Sequence, residues 1–141
     1  MNAAYTIGRI LIPLIFLVSG IQKALNVSEI AALLASKNVP IPEAIVPYLG
    51  GTPKYEALGY LIAGIEIVCG LMVLIGLKAR WAALVLAVFT ACTIVFVHHF
   101  WDMEGAALIA NRTEALKNLS ILGGLLLIVA VGSHLSAAEH R

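Results

Sequence analysis

Four apolar runs, each long enough to cross a lipid bilayer, constrain this sequence more than any other feature. The second run, Leu58 to Leu77, contains Glu66 as its single acidic or basic residue, and the third, Trp81 to Val97, contains none. A hydrocarbon core about 30 Å thick requires about 20 apolar residues of helix. The composition agrees, because 61% of the 141 residues are hydrophobic and 12% are charged, which is unlike a soluble domain. We therefore expect an integral membrane protein.

The runs predict an all-α fold, a single domain that forms an integral membrane four-helix bundle. The expected spans are residues 5–25, 58–77, 81–100 and 115–135. The connection between the first two spans, residues 26–50, is too long for a simple turn. Asn26 and Glu29 have the spacing of a capping box at the start of a short amphipathic helix. We expect this segment to form a helical cap along the membrane surface.

The connection between the second and third spans indicates the orientation of the chain. It consists of Lys78, Ala79 and Arg80, two basic residues without an acid. Cytoplasmic loops of membrane proteins carry an excess of lysine and arginine. With four spans, this loop places both termini in the cytoplasm and the cap on the opposite side of the membrane.

Glu66 is the residue that a membrane span tolerates least. An ionised glutamate at the centre of a span costs about 3 kcal/mol, so it must be paired, protonated or hydrated. Ala63 and Gly70 flank it at helical spacing, and such small residues let a neighbouring helix approach closely. Arg9 and Lys23, on one stripe of the first span, are the available partners. A purely structural ion pair and a proton path or ligand contact both remain open.

A second group of polar residues lies where the third span ends and the fourth begins. Because successive spans alternate in direction, His98, His99 and Asp102 share one membrane face with Lys117 and Asn118. Helical spacing points His98 towards neighbouring helices and His99 towards the lipid head groups. Interfacial anchoring, contact with a quinone head group and a metal held by His98 and Asp102 remain open for this cluster. Two ligands at i, i+4 are too few to predict a metal site. For Lys117 and Asn118, ordinary polarity at a helix start is the alternative.

Two classes of function are disfavoured by the residues that the chain lacks. Cys69 and Cys92 lie 23 residues apart inside predicted spans and form no C-x-x-C motif, which is typical of buried free thiols. A thiol-to-quinone electron path within this chain is therefore not expected. The sequence has no run of lysine and arginine, so we expect no binding of nucleic acid.

Several segments together resemble the DoxX family of small four-helix bacterial membrane proteins. They are Arg9, Phe16 to Lys23, Glu66 to Gly76, His98 to Trp101, and Leu116 to Leu127. The resemblance implies a bacterial inner membrane protein. The family is named after a subunit associated with quinone-linked oxidation of thiosulfate, and other members are linked to redox defence or membrane oxidoreductase assemblies. By likeness, the motif positions are Arg9, Lys23, Glu66, His98, Lys117 and Asn118.

The resemblance and the polar residues favour a quinone-interacting accessory subunit of a membrane oxidoreductase. In this hypothesis His98 and Lys117 donate hydrogen bonds to the quinone carbonyl oxygens, Glu66 moves protons, and a partner protein supplies the electrons. Whether the chain is itself an enzyme is left open.

Two other functions remain as alternatives. In the first, the chain is a scaffold or homo-oligomer that uses its cap or a ridge of Ala83, Ala87 and Ala91 for docking. In the second, it is a carrier of a small solute or lipid, although four helices without visible internal repeats are unlike a typical transporter.

Overall fold

The computed structural model describes residues 3–139, with side chains at positions 3–44, 46–47 and 49–132. Over this range the elements are helical, and no strand is formed. In chain order they are α1 (Ala3–Leu25), α2 (Val27–Ser36), a 3₁₀ helix (Glu43–Leu49), α3 (Lys54–Ile75), α4 (Ala79–Phe96), a 3₁₀ turn (Phe100–Asp102) and α5 (Gly105–Glu139). The prediction of an all-α fold is confirmed.

Four helical segments in residues 3–139 are long and apolar enough to cross a membrane. They are Ala3–Leu25, Lys54–Ile75, Ala79–Asp102 and Gly105–Gly132, and α2 is a shorter apolar helix between the first two. Large apolar side chains on their outer surfaces are exposed, among them Leu11, Val68 and Leu127. Such surfaces imply a lipid bilayer around the protein. The predicted four-helix membrane bundle with a short helix after the first span is confirmed.

The bundle is built from two closely packed helix pairs, α1 with α3 and α4 with α5. Gly20 permits the first pairing, because a Cβ atom on it would lie 2.8 Å from Ile67 Cγ1 and 3.0 Å from Glu66 Cβ. Small residues of this kind let membrane helices approach closely. The backbone of α1 therefore passes directly over the position of Glu66.

The alanine ridge proposed as a docking surface is used inside the bundle instead. Ala83 and Ala87 are buried in a core cluster with Leu125 and Ile128 of α5. Ala91, one turn further along α4, is half-buried. The small side chains of Ala83 and Ala87 thus allow α4 and α5 to pack closely within the chain.

The boundaries around the second polar group differ from the expected ones. Helix α4 ends at Phe96, and α5 begins at Gly105, ten residues before the expected start of the fourth span. The N–H groups of Val97 and His98 both bond to the carbonyl of Thr93, which closes the last turn. Gly105 has a φ of +60°, a left-handed conformation that suits glycine at this junction. Polar residues such as Asn111 and Arg112, which were expected in the connection between the third and fourth spans, therefore lie on α5.

The predicted capping box at the start of α2 is wrong. The Asn26 side chain makes no capping bond to α2, and its Nδ2 instead donates to the carbonyl of Gln22, 3.0 Å away. The reason is that α1 and α2 follow each other with Asn26 alone between them. Its amide group therefore meets a carbonyl in the last turn of the preceding helix, which also accepts the Asn26 backbone N–H at 3.1 Å.

Candidate functional site

The centre of the candidate site is a buried ion pair between α1 and α3. Lys23 lies in the last turn of α1, and its Nζ is 2.8 Å from Oε2 and 3.0 Å from Oε1 of Glu66. Glu66 is 3% exposed, whereas the Lys23 side chain is 22% exposed. Glu66 thus faces protein, as the small residues around it predicted. Lys23, and not Arg9, is its partner.

Ser19, one helical turn before Lys23, completes the hydrogen bonding of the pair. Its hydroxyl donates to Glu66 Oε1 at 3.2 Å and accepts a hydrogen bond from Lys23 Nζ. Ser19 and the two carboxylate oxygens can thereby occupy all three ammonium hydrogens. Among the described residues, no buried side-chain nitrogen or oxygen lacks a hydrogen-bond partner. This matters because a buried charge pair is tolerated only when such bonds offset its desolvation.

Arg9 lies at the other end of the interface between α1 and α3. Its Nη1 donates to the carbonyls of Val73 and Leu74 at 2.7 and 2.9 Å. These carbonyls belong to the last turn of α3, where the partners four residues on are missing, and the Val73 carbonyl also accepts the Gly76 N–H at 3.2 Å. The helix then stops at Gly76, whose φ is +83° and where an added Cβ atom would lie 2.9 Å from Arg9 Nη1. Arg9 therefore closes the end of α3 and is not part of the site.

A cavity of about 280 Å³ adjoins the ion pair. Side chains from all five α-helices line it, together with His98 from the connection after α4. Its polar lining consists of Ser19, Lys23, Glu66, Thr90, Thr93, His98, Glu114 and Asn118. We call this space the polar cavity. It brings together Lys23, Glu66, His98 and Asn118 of the residues expected from the sequence.

His98 lines the polar cavity and is oriented by α5. Its Nδ1 lies 3.1 Å from Asn111 Oδ1, and the Asn111 Nδ2 donates to the carbonyl of Ala107 at 3.0 Å. The amide oxygen of Asn111 can only accept, so Nδ1 of His98 carries the hydrogen. In a neutral ring Nε2 is then an acceptor, and in the imidazolium form it is a second donor.

His99 and Asp102 lie apart from this arrangement. His99 Nδ1 is 3.2 Å from the carbonyl of Phe96, and its Nε2 is 3.7 Å from Asp102 Oδ2. The considered pairing of His98 with Asp102 does not form, because α4 ends before either residue. The described residues contain no group of three or more His, Cys, Asp or Glu side chains that could hold a metal ion.

Lys117 does not line the polar cavity, contrary to expectation. It is exposed and pairs with Glu114 one turn earlier on α5. Glu114 and Asn118 are at i and i+4 and both line the cavity, so they define the inward stripe of α5. Lys117 precedes Asn118 by one residue and therefore points away from this stripe.

Ser19, Thr90, Thr93 and Glu114 were not singled out from the sequence as site residues. Thr90 and Thr93 donate their hydroxyl hydrogens to the carbonyls of Leu86 and Phe89 on α4. Their oxygen atoms can still accept hydrogen bonds. Ser19 had a usable signal, since it lies four residues before Lys23 on the same helix face. The two threonines had none, because mid-helix threonine commonly bonds its own backbone.

Comparison with known proteins places these features in a family. The family model described as DoxX matches residues 4–99, which is more than half of the chain and covers α1 to α4. The protein named Inner membrane protein YphA of Escherichia coli strain K12 is 29% identical over 136 residues, which span 96% of this chain and 87% of that protein. No solved structure matches the chain. The family match confirms the resemblance seen in the sequence motifs.

Proposed function

The chain belongs to the DoxX family, and from this premise we propose that it is an inner-membrane, quinone-binding accessory subunit of a membrane oxidoreductase system. The name of the Escherichia coli relative supports the inner-membrane location. One observation carries the quinone proposal: a cavity between membrane helices joins the Lys23–Glu66 pair, His98 and Asn118. Polar groups converging in an otherwise apolar bundle are typical of binding sites.

The polar cavity fits the ring of a quinone by size and by chemistry. Ligand sites commonly measure about 300–1,000 Å³, and this cavity, at about 280 Å³, admits a small ring and little more. A quinone ring presents two carbonyl oxygens that need donors. Asn118 offers an amide hydrogen, and His98 offers Nε2–H when its ring is charged. Lys117 has no part in this proposal, because it lies outside the cavity.

The ion pair contributes charge and a place to store a proton. A bound quinone supplies an acceptor of two electrons and two protons, and the electrons come from the partner oxidoreductase. Glu66 and Lys23 can hold one proton on either Nζ or a carboxylate oxygen, since these atoms are in hydrogen-bond contact. Neutral His98 can accept a hydrogen bond at Nε2, and imidazolium His98 can donate one, so the ring can follow the protonation of a ligand.

The orientation expected from the basic loop predicts which side of the membrane the polar cavity faces. Lys78 and Arg80 follow the end of α3, whereas the cavity lies near the end of α1 and the end of α4. With the short basic loop in the cytoplasm, the cavity is closer to the outer face. The cytoplasmic location of the termini stays a prediction.

The proposal is tested by equilibrium binding of a radiolabelled short-chain quinone to the protein in lipid nanodiscs. We expect saturable binding to the wild type and a loss of about tenfold or more in affinity for Asn118→Leu, since one buried hydrogen bond is worth about 0.5–1.5 kcal/mol and the added bulk narrows the cavity. Arg112→Leu is the control, because Arg112 is exposed on α5 and does not line the cavity, and it should bind like the wild type. Absence of saturable binding by the wild type, or equal binding by Asn118→Leu, would contradict the proposal.

A further inference from the structure

A second concavity, of about 550 Å³, lies on the outer side of α3 and α4 and is almost wholly apolar. We call it the lipid-facing groove. Leu61 and Ile65 of α3 form one wall, and Val85 and Val88 of α4 form the other. Val39 and Pro40, which follow α2, close one end. The polar mechanism proposed above makes no use of this groove.

The lipid-facing groove adjoins the polar cavity. The two spaces share their lining at Leu34, Ile62, Phe89, Thr93 and Val97. A ligand with its polar end among Lys23, His98 and Asn118 therefore has only these shared side chains, Phe89 among them, between it and an apolar groove that faces lipid. Along α4 the groove extends from Leu84 to Phe96, which is about 18 Å at 1.5 Å per residue.

We infer that the lipid-facing groove holds the apolar tail of the ligand whose ring lies in the polar cavity. This inference rests on the proposed function and narrows its ligand to lipid-soluble quinones with a long isoprenoid or alkyl tail. Such a ligand enters sideways from the bilayer, between α3 and α4, and leaves by the same route. Soluble quinones without a tail fill the polar cavity alone.

The contribution of the groove is steric. A tail in lipid is already in an apolar environment, so its transfer into the groove has little hydrophobic driving force. A ring inside the polar cavity, however, needs an opening through which its tail can leave. Obstructing the groove should therefore exclude long-tailed ligands and spare tailless ones.

Cys92 reports directly on occupancy, because it is exposed and lines the groove. In a Cys69→Ser background it is the single thiol of the 141-residue chain. The rate of its alkylation by a membrane-permeable maleimide is measured in nanodiscs with a fully ring-substituted quinone, which cannot itself alkylate thiols. A long-tailed quinone should slow labelling at least threefold, whereas the tailless ring should leave the rate unchanged. Equal rates with a bound long-tailed quinone would overturn the inference.

A matched pair of variants tests the steric prediction. Val88 lines the groove, whereas Val95 is equally lipid-facing on α4 but lines neither space. Val88→Trp should weaken binding of the long-tailed quinone at least tenfold and leave the tailless one unchanged, and Val95→Trp should change neither. If Val88→Trp binds each of the two ligands as tightly as the wild type does, the inference about the tail is wrong and the quinone proposal still stands. If the wild type binds neither ligand, the quinone proposal fails and the inference fails with it.

Discussion

The two ends of the interface between α1 and α3 use a basic residue of α1 in opposite ways. Arg9 reaches backbone carbonyls at the end of α3, at 2.7 and 2.9 Å. Lys23 reaches the buried carboxylate of Glu66, beside a cavity. The first contact adds a donor to neutral carbonyls at a helix end, whereas the second holds a buried charge pair whose two members depend on each other. The role of a basic residue in a membrane span therefore depends on the group that accepts its hydrogen bonds.

The largest expected effect is at the Lys23 end. Lys23→Met leaves Glu66 buried without a partner, and breaking a buried pair in this way costs about 3–5 kcal/mol of unfolding free energy. The double variant Lys23→Met with Glu66→Gln should recover most of that loss, because no uncompensated charge remains. Reversible unfolding in mixed micelles, followed by circular dichroism, measures both. A single variant as stable as the wild type would mean that the pair is not needed for folding.

A smaller loss is expected at the Arg9 end. Arg9→Met removes two charge-assisted hydrogen bonds to the end of α3, and we expect a loss of about 1.5–3 kcal/mol in the same unfolding assay. Quinone affinity should be unchanged, because Arg9 lies away from the polar cavity. Arg112→Met, at an exposed position on α5, is the control and should change neither quantity. Weakened quinone binding by Arg9→Met would contradict the claim that Arg9 acts only on the end of α3 and not on the polar cavity.

The spacing of α1 and α3 can be altered between these ends. Gly20→Ala places a methyl group 2.8 Å from Ile67 Cγ1, and overpacking of this kind costs about 1–3 kcal/mol. Gly8→Ala on the same helix meets nothing within 4 Å, so it should be neutral or stabilise by about 0.5–1 kcal/mol. Unfolding of the two variants, compared side by side, decides whether close approach at Gly20 supports the ion pair. Equal stability of the two would show that it does not.

The smallest expected effect is at Ser19. Ser19→Ala removes the hydroxyl between Lys23 and Glu66 and should cost about 0.5–1.5 kcal/mol. Ser120→Ala removes an exposed hydroxyl that bonds its own helix and serves as the control. If both serine variants unfold like the wild type, the Lys23–Glu66 ion pair does not depend on the Ser19 hydroxyl.

The membrane class and the inward orientation of Glu66 could be predicted because both follow from local patterns. A run of about 20 apolar residues is long enough to span the membrane as a helix and is rarely found in a soluble domain. Ala63 and Gly70 mark the helix face on which Glu66 lies. Lys117 was misplaced because its orientation depends on where α5 starts and on which stripe faces inward. Arg112, Thr113 and Glu114 interrupt the hydropathy but not the helix, so the start of α5 carried no clear sequence signal. The choice between Arg9 and Lys23 required the depth of each helix, which only tertiary packing defines.

The lengths of α4 and α5 have a consequence for the surrounding lipid. Helix α4 has 18 residues and α5 has 35, which correspond to about 27 Å and about 52 Å. The shorter helix matches the hydrocarbon thickness, and the longer one must tilt or project into water. Asn111, near the start of α5, holds the His98 ring, so we expect any excess length at this end of α5 to lie beside the polar cavity. Hydrophobic mismatch in this one helix would then give the bundle a hydrated entrance there.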